Sequence, residues 1–266
     1  MFIVNSYQFA SVAPSLDPDA QAFLTATAIT DPTIVTAIDT LVKDLKAQTL
    51  WNKFKYIYPF VGGTATTNKF NLKDPQDLDA SFRLTFFGGV THTNGFNPNG
   101  TNGYANTFCA PSLNVTLNSE HLYLTSNTNN TPASLDSVDT GAFNGISQAS
   151  LVCLRGLGSK NSFQSRMNGA FVVSTNTDAI GSFCATKTST DLRLFKNAIL
   201  TANGLSNGSL STRNIFIGTL NLNNTPYSSG FTNQNYTFAT YGDGLTDIDV
   251  ANLTTIEQAF NTTLGR

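Results

Sequence analysis

The most constraining feature of this chain is a cadence. From Trp51 onward, short aromatic and β-branched runs alternate with turns rich in Asn, Gly, Ser and Thr, and no long helical stretch separates them. The clearest runs are 54–58, 82–87, 113–117, 121–125, 149–154, 171–173, 182–186, 192–195, 215–217 and 236–239, and each reads as a strand bounded by turn signals. Strands joined by short turns pair antiparallel, whereas parallel neighbours need a long crossover, commonly a helix. The spacing predicts an antiparallel β-sandwich and excludes a repeating βαβ sheet.

Composition narrows the function classes. Only 12% of the residues are charged, against about a quarter in an average globular domain, while 11% are aromatic, including 20 Phe. With two glutamates in all, Glu120 and Glu257, the chain lacks the material for long salt-bridged surface helices. A net charge of −2 and a pI near 5.6 offer nothing to a phosphate backbone, which argues against nucleic acid as a partner. No run approaches the roughly 20 apolar residues of a membrane-spanning helix, so no membrane insertion is expected. The Met1–Tyr7 segment has no basic opening of the signal-peptide kind, and the expectation is a protein made in the cytoplasm and released from there. Cys109, Cys153 and Cys184 are odd in number and widely spaced, and they predict buried thiols, not a disulfide framework or a zinc site.

Helical signals bracket the strands. Asp17-Pro18 and Asp31-Pro32 each place an N-cap acceptor before a proline at the first helical position. Ala20, Phe23 and Leu24 supply a short apolar face after the first, and Ile34, Ile38, Leu41 and Leu45 predict an amphipathic helix of about 13 residues after the second. At the other end Thr246 and Asp249 form a weakened capping box, ahead of a buried stripe of Val250, Leu253, Ile256 and Phe260. Residues 17–266 read as one helix-flanked sandwich domain. Residues 1–16 are apolar and uncapped, and Phe2, Ile3, Val4, Tyr7 and Phe9 predict either an extra edge strand or an arm that anchors to a partner subunit.

Several segments carry a resemblance: 19–26, Trp51–Gly63, Lys69–Pro75, Asn99–Ala105, Asn118–Leu122, Asp191–Asn197 and Gly242–Asp247. In this order they resemble a group of phage structural and tail-fibre-type proteins with laminin-G/concanavalin-like domains. The resemblance implies a jelly-roll sandwich in a bacteriophage virion, acting by assembly and display as a capsid, vertex, spike or tail component. Other virion proteins and further copies of the same chain are the partners it implies, and it brings no catalytic residue. A lectin-like module that captures a host surface glycan is the alternative from another class, and a glycan-degrading enzyme on the same scaffold is a third.

No nucleophile elbow, zincin helix, phosphate-binding loop or dinucleotide fingerprint occurs, so no catalytic, metal-binding or cofactor-binding residue is assigned. His92 lies in a loop-like stretch, and His121 directly follows Glu120 at a strand start, where adjacent side chains point to opposite faces and make no acid/base pair. Asp74, Asp77 and Asp79 are the best local carboxylate cluster, with a turn and a solvated edge as their expected place. Fold analogy alone suggests calcium, for which Asp247 with Asp249, or the Asp74 group, would offer oxygens without EF-hand spacing. For glycan contact the candidates are the loop-proximal aromatics Phe96, Tyr104, Tyr227, Phe231 and Tyr236, weighed against core packing in so aromatic a chain.

Overall fold

In a computed structural model that describes residues 15–266, both Asp-Pro signals open helices. The expectations for Phe2, Ile3, Val4, Tyr7 and Phe9 lie outside the described residues. In α1 (Pro18–Thr27) the Asp17 carboxylate accepts from the Asp19 N–H at 2.9 Å, and in α2 (Pro32–Ala47) Asp31 accepts from the Thr33 and Ile34 N–H groups at 2.8 and 3.1 Å. Such caps satisfy amides that have no partner inside the helix, and each stabilises by about 1 kcal/mol. At 16 residues α2 is nearly a turn longer than its apolar period predicts.

β1 (Phe54–Tyr58) follows, then α3 (Ala65–Asn68), β2 (Thr85–Phe87), β3 (Val90–Thr91), β4 (Asn97–Pro98) and β5 (Tyr104–Asn106). After the single turn α4 (Pro111–Asn114) come the longer strands β6 (Glu120–Ser126), β7 (Thr140–Gly145), β8 (Gln148–Cys153), β9 (Ser162–Met167) and β10 (Ala170–Thr175). They continue with β11 (Gly181–Lys187), β12 (Asp191–Lys196) and β13 (Ile199–Leu205). β14 (Phe216–Ile217), β15 (Leu220–Leu222), β16 (Thr225–Pro226) and β17 (Tyr236–Gly242) lead into α5 (Asp247–Thr263), which carries the capping box between Thr246 and Asp249.

The strand expected at 113–117 is a correction. Pro111, with its fixed φ, opens a helical turn, and Leu113 projects from it into solvent. β7, β9 and β13 go unseen in the sequence because Gly, Asn, Ser and Thr dilute their apolar alternation.

Six strands pair antiparallel in the order β1-β17-β6-β11-β12-β13. A nine-stranded sheet runs β10-β9-β8-β7-β14-β5-β2, with the β15–β16 hairpin laid beside β7, and β15 pairs with β7 in parallel. The chain is mainly β, an antiparallel sandwich of jelly-roll type with helices at its N- and C-terminal ends.

Its layers are unequal. α1, α2 and α5 cover the outer face of the six-stranded sheet, burying Phe23, Ile38, Leu41, Val250 and Phe260 against Tyr123, Cys184, Phe195 and Phe238. Between the sheets runs an aromatic ladder: Tyr241–Tyr56 at 5.6 Å, Tyr56–Tyr58 at 4.9 Å, Tyr58–Phe60 at 6.2 Å, Phe60–Phe96 at 5.6 Å and Phe96–Tyr236 at 6.2 Å between ring centroids. Every residue of β6 and β17 is buried, because both faces of their sheet are covered. The nine-stranded sheet receives no comparable helical cover among the described residues. Only a small cluster under the β15–β16 hairpin, Val138, Leu151, Cys153 and Leu220, shields part of its outer face.

Candidate functional site

That uncovered face carries the candidate site. β8, β9 and β10 pair so that Leu151 stands opposite Arg166, and Arg166 opposite Phe171. On the other side Leu151 stands opposite Gly141, and Gly141 opposite Leu220. Directly opposed residues share a face of the pleat, so this row crosses five strands on the outer surface. Phe143, Leu157, Leu222 and Tyr227 wall it into a groove of about 310 Å³.

Phe171 is 43% exposed, although burying such a ring is worth about 1.5–3 kcal/mol. Arg166 lays its guanidinium over that ring, with Cζ 5.1 Å from the centroid, a cation–π contact. Its Nε is buried and has no hydrogen-bond partner among the described residues. On the opposite wall the Tyr227 hydroxyl donates to Asp136 Oδ2 at 3.2 Å, and burial, with Asp136 beside it, pushes that hydroxyl above its usual pKa. An apolar floor, aromatic rims and one guanidinium without a carboxylate partner among the described residues can stack on the C–H face of a flat ring and donate to its polar groups.

Of the aromatics expected at a rim, Tyr227 lines this groove. Tyr104 lies on the same sheet toward its other edge, stacked on Phe87 at 4.8 Å and 13°, with Phe87 41% exposed. Phe96 and Tyr236 are corrections: both are 0% exposed, as rungs of the core ladder. Backbone hydrogen bonds of 2.8 and 3.0 Å tie the two together, and Tyr236 opens a strand of the doubly covered sheet, which turns both rings inward. The Tyr236 hydroxyl donates to the buried Asp139 carboxylate at 2.5 Å. Phe231 is also buried, packed 6.3 Å from Tyr104, and so offers no open ring face. Phe143, Arg166 and Phe171 are the residues sequence reasoning missed. Their only signal is strand alternation, which separates two faces without saying which one is wet.

The other chemical candidates are structurally engaged. His121 is fully buried between Asp243 O at 2.7 Å and Thr240 Oγ1 at 3.0 Å, and burial pulls its pKa down to about 4. Glu120 accepts from the Tyr241 hydroxyl at 3.1 Å inside the sandwich, on the opposite face of β6. His92 sits edge-on to Phe86 at 4.5 Å, with its pKa lowered by burial. Lys69 and Arg83 hold Asp77, Arg83 also holds Asp79, and the Lys69 hydrogen bond keeps Asp77 below the usual carboxylate range. Asp247 pairs with Arg193, and Asp249 with Lys53 and Thr246. Cys109, Cys153 and Cys184 are buried thiols whose pKa values burial raises, that of Cys109 to about 12. A larger cleft than the groove, about 670 Å³, lies between the α1–α2 turn and the 60–63 loop. Its charges are spent on structure, since Asp31 caps α2 and Arg266 donates to the Pro59, Phe60 and Thr237 carbonyls.

Fold and groove together define a class: a helix-flanked antiparallel sandwich with an aromatic groove on its uncovered face. No protein-family model matches this chain, and no curated protein matches its sequence. Solved structures do match. One is a mutant of Trypanosoma rangeli sialidase displaying trans-sialidase activity, 12% identical with a TM-score of 0.50, over 85% of this chain and 39% of that one. Another is domain 4 of AbnA, an extracellular arabinanase from Geobacillus stearothermophilus in complex with arabinotriose, 12% identical with a TM-score of 0.46, over 76% and 98%. A third is the CBM40 of Ruminococcus gnavus IT-sialidase bound to α2,3 sialyllactose, 15% identical with a TM-score of 0.37, over 52% and 83%. This chain thus spans 39% of the sialidase, and the likeness is one of fold.

Proposed function

We propose that this chain is a non-catalytic glycan-binding module whose sugar lies in the outer-face groove. The observation that carries the reading is the placement of Phe143, Phe171 and Tyr227 around an apolar floor, with a half-buried Arg166 among them that pairs with no carboxylate of the described residues. The occurrence of a sandwich of this fold in a sialidase accords with it. Binding without turnover fits the carboxylates. Glycoside cleavage uses two carboxyl groups about 5 to 10 Å apart, whereas no carboxylate among the described residues lines this groove, and Asp136 beside it is engaged by Tyr227. Phe171→Ala and Tyr227→Ala each weaken glycan binding at least about tenfold while the circular dichroism spectrum stays unchanged, since half-open rings contribute little to the core. Titration calorimetry against glycans retained by the wild type checks this, with a reducing-sugar assay expected to show no product. Unaltered affinity in both variants removes the groove from the reading, and sugar release removes the non-catalytic part.

A second reading, a virion structural protein displayed on capsid, vertex, spike or tail, is favoured by β13. Ile199, Leu200 and Leu205 are exposed on this edge strand, and an open strand edge is a template for another chain. Pairing of copies there would supply the repeated contacts that a particle needs. Light scattering is expected to give an oligomer that Ile199→Lys with Leu205→Lys converts to monomer. A wild-type monomer at high concentration takes this support away.

A further inference from the structure

We infer that the groove is built for an acidic sugar, a uronic or ulosonic acid unit whose carboxylate is received by Arg166; this rests on the glycan-binding reading above. Among the described residues eight other cationic side chains pair with aspartates, and Lys73, Arg155, Lys187 and Arg266 donate to uncharged oxygens. Lys53 meets Asp249 at 2.5 Å, Lys55 meets Asp243 at 3.0 Å, Arg83 meets both Asp77 and Asp79, and Arg193 meets Asp247. Arg166 is placed differently. It stands in the middle of an apolar row, flanked across the sheet by Leu151 and Phe171, and among the described residues no carboxylate pairs with it.

Leaving a buried donor such as its Nε unpaired costs roughly 1–3 kcal/mol, and an aliphatic side chain like the neighbouring Leu151 would avoid that cost. The contact with Phe171 holds the guanidinium in place over the ring before any ligand arrives. Its planar fork of N–H groups matches a carboxylate with two parallel hydrogen bonds. The rest of the groove suits a sugar carrying one acid group better than a dense polyanion. Asp136, held by the Tyr227 hydroxyl beside the opposite wall, places negative charge there that repels a second acid group. The chain as a whole is also negative, at −2, so attraction of an acid must be local.

The test applies the full chain to an immobilised panel of neutral, uronic-acid-containing, ulosonic-acid-containing and sulfated glycans, with Arg166→Gln and Arg166→Lys beside it. Carboxylated members are expected to be retained, with affinity roughly tenfold to a hundredfold weaker in Arg166→Gln and partly kept in Arg166→Lys. Methyl-esterifying the retained glycan is expected to weaken binding of the wild type to the same degree, an arm that does not depend on any variant folding. Equal binding of the acid and its ester, or of neutral sugars, overturns the acidic specificity and leaves the glycan-binding reading standing. Retention of the sulfated members alone overturns the carboxylate. Retention of no member overturns both.

Discussion

Gly244→Ala lowers the melting temperature by about 6 °C, corresponding to roughly 3 kcal/mol in a chain of this size. The Gly242-Asp243-Gly244 segment ends β17 and hands the chain to α5. A Cβ on Gly244 would lie 1.8 Å from the carbonyl oxygen of Lys187, which is backbone of the central strand β11. One on Gly242 would lie 2.0 Å from the Lys53 carbonyl oxygen. Neither obstacle is the movable tip of a side chain. The junction is also pinned: the Gly244 N–H donates to Ser119 Oγ at 3.0 Å, and the Leu245 N–H donates to Thr186 Oγ1 at 2.8 Å. Any shift that relieved the clash would break these bonds and the His121–Asp243 contact. Scanning calorimetry measures the effect, and a variant melting within about 2 °C of the wild type would mean that the junction yields without loss.

Glu257→Gln removes roughly 2–3 kcal/mol of destabilisation on going from pH 5 to pH 8. Glu257 projects from α5 into the layer beneath the helices, where its carboxylate accepts from the Tyr123 hydroxyl at 3.4 Å and from Asn261 Nδ2. Burial outweighs these hydrogen bonds and the nearby Arg266 charge, and it raises the pKa from an ordinary 4.5 to about 7. Between those two values the folded chain binds the proton and the unfolded chain does not, so the group makes stability fall as pH rises. Asp139, raised to about 6 by burial, acts with the same sign, whereas His121, lowered to about 4, makes stability rise with pH. The wild-type profile is therefore a mixture, and the difference between wild type and Glu257→Gln isolates one group. Urea unfolding across that range is expected to show the variant gaining steadily on the wild type. A constant difference would mean that Glu257 is ionised in the fold throughout.

Much of the scaffold is legible in local chemistry. Asp17, Asp31 and Thr246 announce their helices because a cap is a matter of a few neighbouring residues, and the buried stripe of α5 follows the helical period. The turn-bounded runs mark most strands for a similar reason. The failures are equally physical. The 113–117 run has strand composition, yet Pro111 just ahead of it opens a helical turn, and β7 and β13 have backbone partners that their diluted alternation does not advertise.

The candidate site is less legible. Whether an aromatic ring near a turn is wet depends on the layer it joins, which no neighbouring residue reveals. Phe96 and Tyr236 lie far apart in the chain, yet they meet by backbone hydrogen bonds and stack in the core, while Phe171 turns to solvent from a strand of similar composition. Tyr227 was within reach of sequence reasoning because it follows a short turn-rich stretch, and it is the one rim candidate that lines the groove.

Local sequence dictates the elements themselves: capped helices at both ends, antiparallel strands between them, and enough aromatic side chains to fill a core. Which face of each strand stays wet is a property of the assembled layers. Three helices, two early in the chain and one at its end, pack on the outer face of one sheet whose inner face the other sheet covers, leaving the outer face of that other sheet uncovered with Arg166 and Phe171 upon it. Alternation along a strand distinguishes two faces, but the layer that covers one of them is contributed by residues elsewhere in the chain.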